Sequence, residues 1–303
     1  MHLPIDSSAV TPRYGVALAG LRWHPVASAG FSGACVWRGD DTDGTPHFAL
    51  KAYPPDAITT ERLNATHAWL HAASNLSFVP ELIPTRDGNS FTRHDNRLWE
   101  VVRWMPGQAD FHSNPARLRL EAACIALARL HCTWRPMVAT HAVVPGVLRR
   151  LIVFDDFQRL SVEQPVEPVF EVPLRRGREL VRRLIPAATQ ALAPWATRRA
   201  ALQPCLCDIW HDHVLLTGDE VTGIIDFGSM KIDHVAVDLA RLLGSLVPGD
   251  VDAWTAGLEA YRRVDGVLDV GTWAGRVPSP ESDARHTRVA AHAVRPDSRA
   301  RSR

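Results

Sequence analysis

Lysine is nearly missing from this chain. Of 34 basic residues only Lys51 and Lys231 carry an amine, and the rest are arginine. In a sequence that writes arginine by default, a retained lysine marks a place where a compact ammonium is wanted. Cysteine is sparse as well. Cys35, Cys124, Cys132, Cys205 and Cys207 form an odd set with one alternating pair, which argues against a secreted disulfide framework and for reduced thiols in the cytoplasm. Cys205 and Cys207 would share one face of a strand. With no second pair beside them they read as small buried residues rather than metal ligands. No apolar run reaches the ~18 residues of a membrane span. The N-terminal stretch MHLPIDSSAVTPRYG lacks the basic-then-apolar build of a secretion signal. The formal charge of +1 provides no field for nucleic acid or an anionic membrane. There is no internal repeat. A chain of 303 residues is long enough for one or two domains with a real core.

The informative stretch runs from Pro204 to Leu239, PCLCDIWHDHVLLTGDEVTGIIDFGSMKIDHVAVDL. A strand signal at His213–Leu216 and another at Val221–Ile225 flank the turn signal Thr217-Gly218-Asp219. Asp208 precedes this hairpin and Asp226 follows it, so both carboxylates leave it on one side. Taken singly, each is an ordinary turn residue. As a pair they match the layout of phosphoryl transfer, in which one carboxylate orients the attacking hydroxyl and the other holds Mg²⁺ against the phosphates.

The same stretch resembles the catalytic core of the aminoglycoside phosphotransferase and choline kinase-like family. Its pattern is H-G-D-x-x-x-x-N, then I-D-F/W-G, then D-x-A. Asp226-Phe227-Gly228 and Asp238-Leu239-Ala240 match it in full, whereas Leu206-Cys207-Asp208 stands for H-G-D and His213 for the Asn. The resemblance implies an α+β, two-lobed protein-kinase-like fold, with a small antiparallel sheet and one helix ahead of a mainly helical lobe. It implies ATP and Mg²⁺ as cofactors and a small-molecule hydroxyl as acceptor. Asp208 takes the catalytic place, with Asp226 and His213 at the metal. Imidazole suits Mg²⁺ less well than oxygen, so His213 either leaves the metal with fewer protein ligands or has another role.

Ahead of this core, the resemblance gives further residues a place. Gly30 and Gly33 lie in a turn between two strands, where glycine lets backbone N–H groups approach phosphate. Phe48-Ala49-Leu50-Lys51 resembles the kinase strand whose lysine reaches the α- and β-phosphates. Thr59-Thr60-Glu61 opens a helix. Glu61 is the candidate partner of Lys51, although a first-turn acid also serves the helix dipole. Leu98 to Met105 is an apolar strand ending at Pro106-Gly107. There the resemblance lays adenine against the backbone from Glu100 to Val102. The expected division is a lead-in at 1–20, a nucleotide-binding lobe at 21–106, a catalytic and acceptor-binding lobe at 107–265, and a tail at 266–303. The tail is rich in Pro, Ser and Arg and reads as disorder.

In the larger lobe, Asn114-Pro115 is expected to cap a helix over 116–131, and helices are expected over 147–160, 174–200, 238–246 and 251–263. His131 reads as a packed residue at a helix end. Two alternatives stand beside the kinase: a nucleotide-binding pseudokinase, suggested by the replaced His and Asn, and a metal-dependent hydrolase built on Asp208, His211, His213 and Asp226.

Overall fold

The computed structural model describes residues 7–15, 18, 20–26, 33–138, 140–159 and 168–266. Period-two alternation organises the first half. In β3 (Pro46–Ala52), Phe48, Leu50 and Ala52 are buried while Ala49 and Lys51 face the other way. With β1 (Arg22–Pro25), β2 (Cys35–Asp40), β4 (Thr92–His94) and β5 (Arg97–Arg103) this strand forms an antiparallel sheet of order β1-β2-β3-β5-β4. One face closes on Trp37 and Trp99, stacked 5.4 Å apart, together with Leu50, Val101, Val10 and Tyr14. The helix α1 (Thr60–Ala72) starts where Thr59 accepts the Arg62 N–H at 3.2 Å, and it buries Leu63, Thr66, His67 and Leu70.

The second half is mainly helical. It comprises α2 (Arg117–Trp134), α3 (Pro145–Arg159), α4 (Pro168–Leu192), α5 (Ala236–Leu246) and α6 (Val251–Val264). Short strands lie among them: β6 (Thr140–Val143), β7 (Arg199–Cys205), β8 (Val214–Thr217), β9 (Glu220–Ile224) and β10 (Lys231–Asp233). β10, β7 and β6 form one small sheet, and β8 pairs with β9 as a hairpin. The core gathers Leu127, Leu130, Trp134, Leu206, Ile209, Ile224, Leu243 and Tyr261. α6 comes close to α5 and α2 through Gly257, where a Cβ would lie 2.5 Å from Leu243 and 3.0 Å from the Cys124 sulfur.

The hairpin is docked against the segments that follow α1 and β5. Ile224 N–H donates to the Phe78 carbonyl at 2.8 Å, and Gln108 and Leu216 exchange backbone bonds at 2.9 and 3.0 Å. Gly107, at φ +97°, fits because a Cβ there would fall 2.3 Å from Thr222 Oγ1.

Three boundaries differ from the sequence reading. The helix expected over 174–200 stops at Leu192, before Ala193-Pro194, and Arg199–Cys205 is a strand. α4 begins at Pro168 and carries Pro173 and Pro186 within it, so proline stands inside this helix as well as at its ends. The cap of α2 is Ala116 rather than Asn114, whose carbonyl instead accepts from the Arg119 guanidinium. The lead-in lies partly, and the tail almost wholly, outside the described residues. Among the described residues no helix is long and apolar enough to cross a membrane, and all five cysteines are free thiols.

A buried polar network ties the helices together. Asp238 of α5 accepts from His131 Nε2 at 3.0 Å, His131 Nδ1 meets the Tyr261 hydroxyl at 2.7 Å, and Tyr261 reaches Asp265 at 3.3 Å. Arg135 closes the chain on Asp265. His131 is thus a core residue joining α2, α5 and α6. Tyr261→Phe keeps the ring and removes the bridge, and should lower the urea-unfolding free energy by about 1–2 kcal/mol. An unchanged urea midpoint would show the bridge to be idle.

Candidate active site

Asp238 also fixes the loop that carries Asp208. Its two oxygens accept the Leu206 and Cys207 backbone N–H groups, each at 2.7 Å. Cys207 sits at φ +62°, in the left-handed region that favours glycine. This is where the resembling pattern has Gly, so the chain keeps the bend without the residue that takes it most easily. Burial pushes the Cys207 thiol up to about 12, so it stays a neutral filler. Asp208 itself is half-exposed, and its carboxylate is paired with Arg241 of α5.

His213 stands between the two aspartates. Its Nδ1 faces the Asp208 carbonyl at 2.7 Å, and its Nε2 accepts from the Trp210 indole N–H at 2.9 Å. A carbonyl only accepts and an indole only donates, so the two bonds specify the ring protonated on Nδ1. Both nitrogens are taken. In this arrangement the His213 ring pins the Asp208 loop, and Nε2 lies 3.9 Å from Asp226 Oδ2.

Asp226 leaves the end of β9 at φ +62° and caps the short turn Phe227–Ser229. Lys51 of β3 meets its Oδ1 at 2.6 Å. Burial alone would raise the Asp226 carboxyl, but the charge and hydrogen bond of Lys51 outweigh it and hold the group below the usual carboxylate value. Lys51 Nζ also lies over the Tyr53 ring, 4.9 Å from its centre. Gly228 is fitted against both: a Cβ there would lie 3.2 Å from the Tyr53 ring and 3.4 Å from Nζ. Across the cleft, Arg62 of α1 donates to the Gly228 carbonyl at 2.9 Å.

The remaining candidates divide. Gly33, at φ +65°, is exposed beside Pro54; Gly30 lies outside the described residues. Glu61 is exposed and does not reach Lys51. Its carboxyl turns back to its own N–H and to Thr59, which lowers it from the ordinary value. The first-turn acid thus serves the helix end and stands apart from Lys51. Glu100 and Val102 lie inside the ladder, opposite Lys51 and Ala49. The backbone around them is occupied: Val101 accepts from Ile83 at 2.9 Å, and Arg103 donates to Glu81 at 2.8 Å. The Trp104 N–H is held as well, by the His47 carbonyl at 2.9 Å, so the ladder bonds run one residue past Arg103. The Glu100 side chain is buried against His67 and Tyr53, at 2.7 and 2.9 Å.

Sequence reading missed Arg62, His67, Tyr53 and Arg241. Arg62, Tyr53 and Arg241 each stand beside a motif, after Thr59-Thr60-Glu61, Phe48-Ala49-Leu50-Lys51 and Asp238-Leu239-Ala240, whereas His67 has none. The hydrolase set also fails to gather. Among the described residues the single group of three ligand atoms within 4.8 Å is His131, Cys205 and Asp238, whose His and Asp are already bonded in the core network. The left-handed bend at Cys207 has a direct test. Cys207→Gly should fold with equal or greater stability, whereas Cys207→Val, β-branched at positive φ, should lose about 1–3 kcal/mol in chemical denaturation. Equal stability of the two variants would remove the strain argument.

Comparison with known proteins agrees with this fold. The profile of the phosphotransferase enzyme family matches residues 24–275. No curated protein is a significant sequence match. Among solved structures, a spectinomycin phosphotransferase in complex with ADP and spectinomycin superposes with a TM-score of 0.63 at 14% identity, covering 86% of this chain and 80% of that one. An aminoglycoside phosphotransferase from Alicyclobacillus acidocaldarius gives a TM-score of 0.55 at 20% identity, covering 87% and 79%. A microcompartment-associated aminopropanol kinase gives 0.51 at 14%, covering 80% and 75%. With a kinase-like lysine–aspartate pair, the Asp-Phe-Gly turn and a family match spanning most of its length, this chain belongs to the phosphotransferase enzyme family, the small-molecule kinases of protein-kinase-like fold.

Proposed function

We propose that the chain transfers the terminal phosphoryl group of ATP to a hydroxyl of a small molecule. Asp208 serves the hydroxyl, Asp226 the Mg²⁺, and Lys51 the phosphates. The observation that carries this reading is the 2.6 Å contact between Lys51 and Asp226, which brings the sheet's one amine onto the carboxylate after the hairpin. The acceptor oxygen forms a bond to the γ-phosphorus as the bond to the ADP oxygen breaks, and the hydroxyl proton passes to an Asp208 oxygen. Asp208 acts chiefly by alignment, because phosphoryl transfer needs position and charge neutralisation more than a strong base.

Asp226 suits the metal: it is a hard oxygen donor kept anionic by Lys51, which meets Oδ1, while Oδ2 lies 3.9 Å from His213 Nε2. Bound Mg²⁺ would neutralise the phosphate charge there. The adenine edge would meet the backbone beyond the Trp104 N–H, which the His47 carbonyl already holds. Residues 21–106 form the nucleotide lobe in this reading, and 107–265 the acceptor lobe. Arg241 competes with the acceptor hydroxyl for Asp208, so the acceptor must displace it or share the carboxylate with it.

That same Arg241 pair, with His213 off the metal, favours a second reading, a nucleotide-binding module without transfer. The two separate in one experiment: ADP release measured over amino sugars, amino alcohols, hydroxy amino acids and ketoamines, alongside nucleotide binding. The kinase reading expects release with at least one acceptor class. It also expects Asp208→Ala to cut that release about a hundredfold or more while nucleotide affinity holds. Asp226→Asn should abolish the Mg²⁺ dependence of nucleotide affinity. Binding without release by the unaltered protein supports the module, and normal turnover by Asp208→Ala removes Asp208 from the mechanism.

A further inference from the structure

In the arrangement that the resemblance implies, an acid on the small-lobe helix holds the phosphate-binding lysine. Here Glu61 points away from Lys51, so something else must hold that side chain. The lysine lies directly opposite Glu100 in the β3–β5 ladder. Side chains of directly opposed residues leave the sheet on one face. Glu100 is buried on both oxygens: Oε1 accepts from the Tyr53 hydroxyl at 2.9 Å and Oε2 meets His67 Nε2 at 2.7 Å. His67 is on α1, and its other nitrogen meets Ser90 Oγ at 2.8 Å. The Tyr53 ring lies under Lys51 Nζ. The chain of contact therefore runs from α1 through His67, Glu100 and Tyr53 to Lys51, and from there to Asp226.

We propose that Glu100 is the buried anion that positions Lys51 for the nucleotide phosphates, acting through Tyr53 and anchored to α1 by His67. It is a positioning residue in the role expected of Glu61.

The physical terms agree in direction. Burial alone would raise the Glu100 carboxyl. The hydrogen bond and charge of His67, with the charge of Lys51 and the Tyr53 bond, outweigh burial and hold it below its ordinary value. Burial and the same carboxylate push the Tyr53 phenol well up, so it remains a donor. A phenol donating to an anion has a more electron-rich ring, a better seat for an ammonium. Tyr53 is also wedged against Gly228, so displacing it disturbs the Asp-Phe-Gly turn as well as Lys51. Arg62 bonds the Gly228 carbonyl from the same helix. α1 thus reaches the site through a cation and an imidazole, while its acid stays at the helix end.

This inference rests on the nucleotide-binding part of the proposed function, and its test separates the two. The probes are Mg·ADP and adenosine, titrated calorimetrically against the unaltered protein, Glu100→Gln, Tyr53→Phe, His67→Gln and Glu61→Ala. Lys51 serves phosphates, so loss of its positioning weakens Mg·ADP and spares adenosine; general damage to the fold weakens both. Glu100→Gln and Tyr53→Phe should each weaken Mg·ADP about tenfold, the scale of one hydrogen bond to a charged group. His67→Gln should follow in the same direction, and Glu61→Ala should bind both probes like the parent. If Glu100→Gln does not fold, Tyr53→Phe carries the test, since it removes one oxygen and keeps the ring. Equal weakening of adenosine and Mg·ADP, or a loss in Glu61→Ala with none in Tyr53→Phe, overturns the proposal. Failure of the unaltered protein to bind Mg·ADP would overturn the kinase reading and this one with it. Parental binding with no phosphate-specific loss overturns this one alone.

Discussion

The carboxylate of Asp238 is the interaction on which the rest depends. It is fully buried, and one group accepts from two successive backbone N–H groups and an imidazole. Those bonds set the direction of the chain at Leu206 and Cys207 and so decide where Asp208 emerges. They also fasten α5 to α2, and through Tyr261 to α6. A buried anion is costly unless its oxygens are occupied, and removing one partner from such a group costs about 3–5 kcal/mol. The loop conformation and the helix packing are therefore one problem with one solution. The left-handed bend at Cys207 survives without glycine because two short bonds to Asp238 frame it.

The second joint is between the lobes, and it is made of few contacts. Ile224 bonds Phe78 and Arg62 bonds Gly228. The first joins the segment after α1 to the hairpin, and the second joins α1 to the turn behind it. Lys51 and Asp226 meet between these anchors. Their 2.6 Å contact is as much a product of the docked hairpin as of their mutual attraction.

The parts of this arrangement that could be read from the sequence were the local ones. The Phe48-Ala49-Leu50-Lys51 run gave β3, the Thr59 cap gave the start of α1, and the turn at Gly218-Asp219 gave the hairpin. Asp-Phe-Gly and Asp-Leu-Ala are contiguous, so they were visible at once. What stayed hidden was set by long-range contact. Glu61 and Glu100 are both plausible acids for Lys51, and only strand register distinguishes them. His213 looked like a metal ligand because its place in the motif belongs to Asn. The partners that occupy its nitrogens, Trp210 and the Asp208 carbonyl, are near in sequence, but which of them it bonds is a matter of loop shape. The strand Arg199–Cys205 was read partly as helix because its partners lie at Thr140–Val143 and Lys231–Asp233, on either side in sequence.

The scarcity of lysine has a consequence for measurement. The chain carries two side-chain amines, one largely enclosed beside Asp226 and the other on the exposed edge strand β10. An amine-selective acylating reagent therefore has one target within the cleft and one internal reference outside it. The ratio of the two acylated peptides reports occupancy of the phosphate region with no residue replaced.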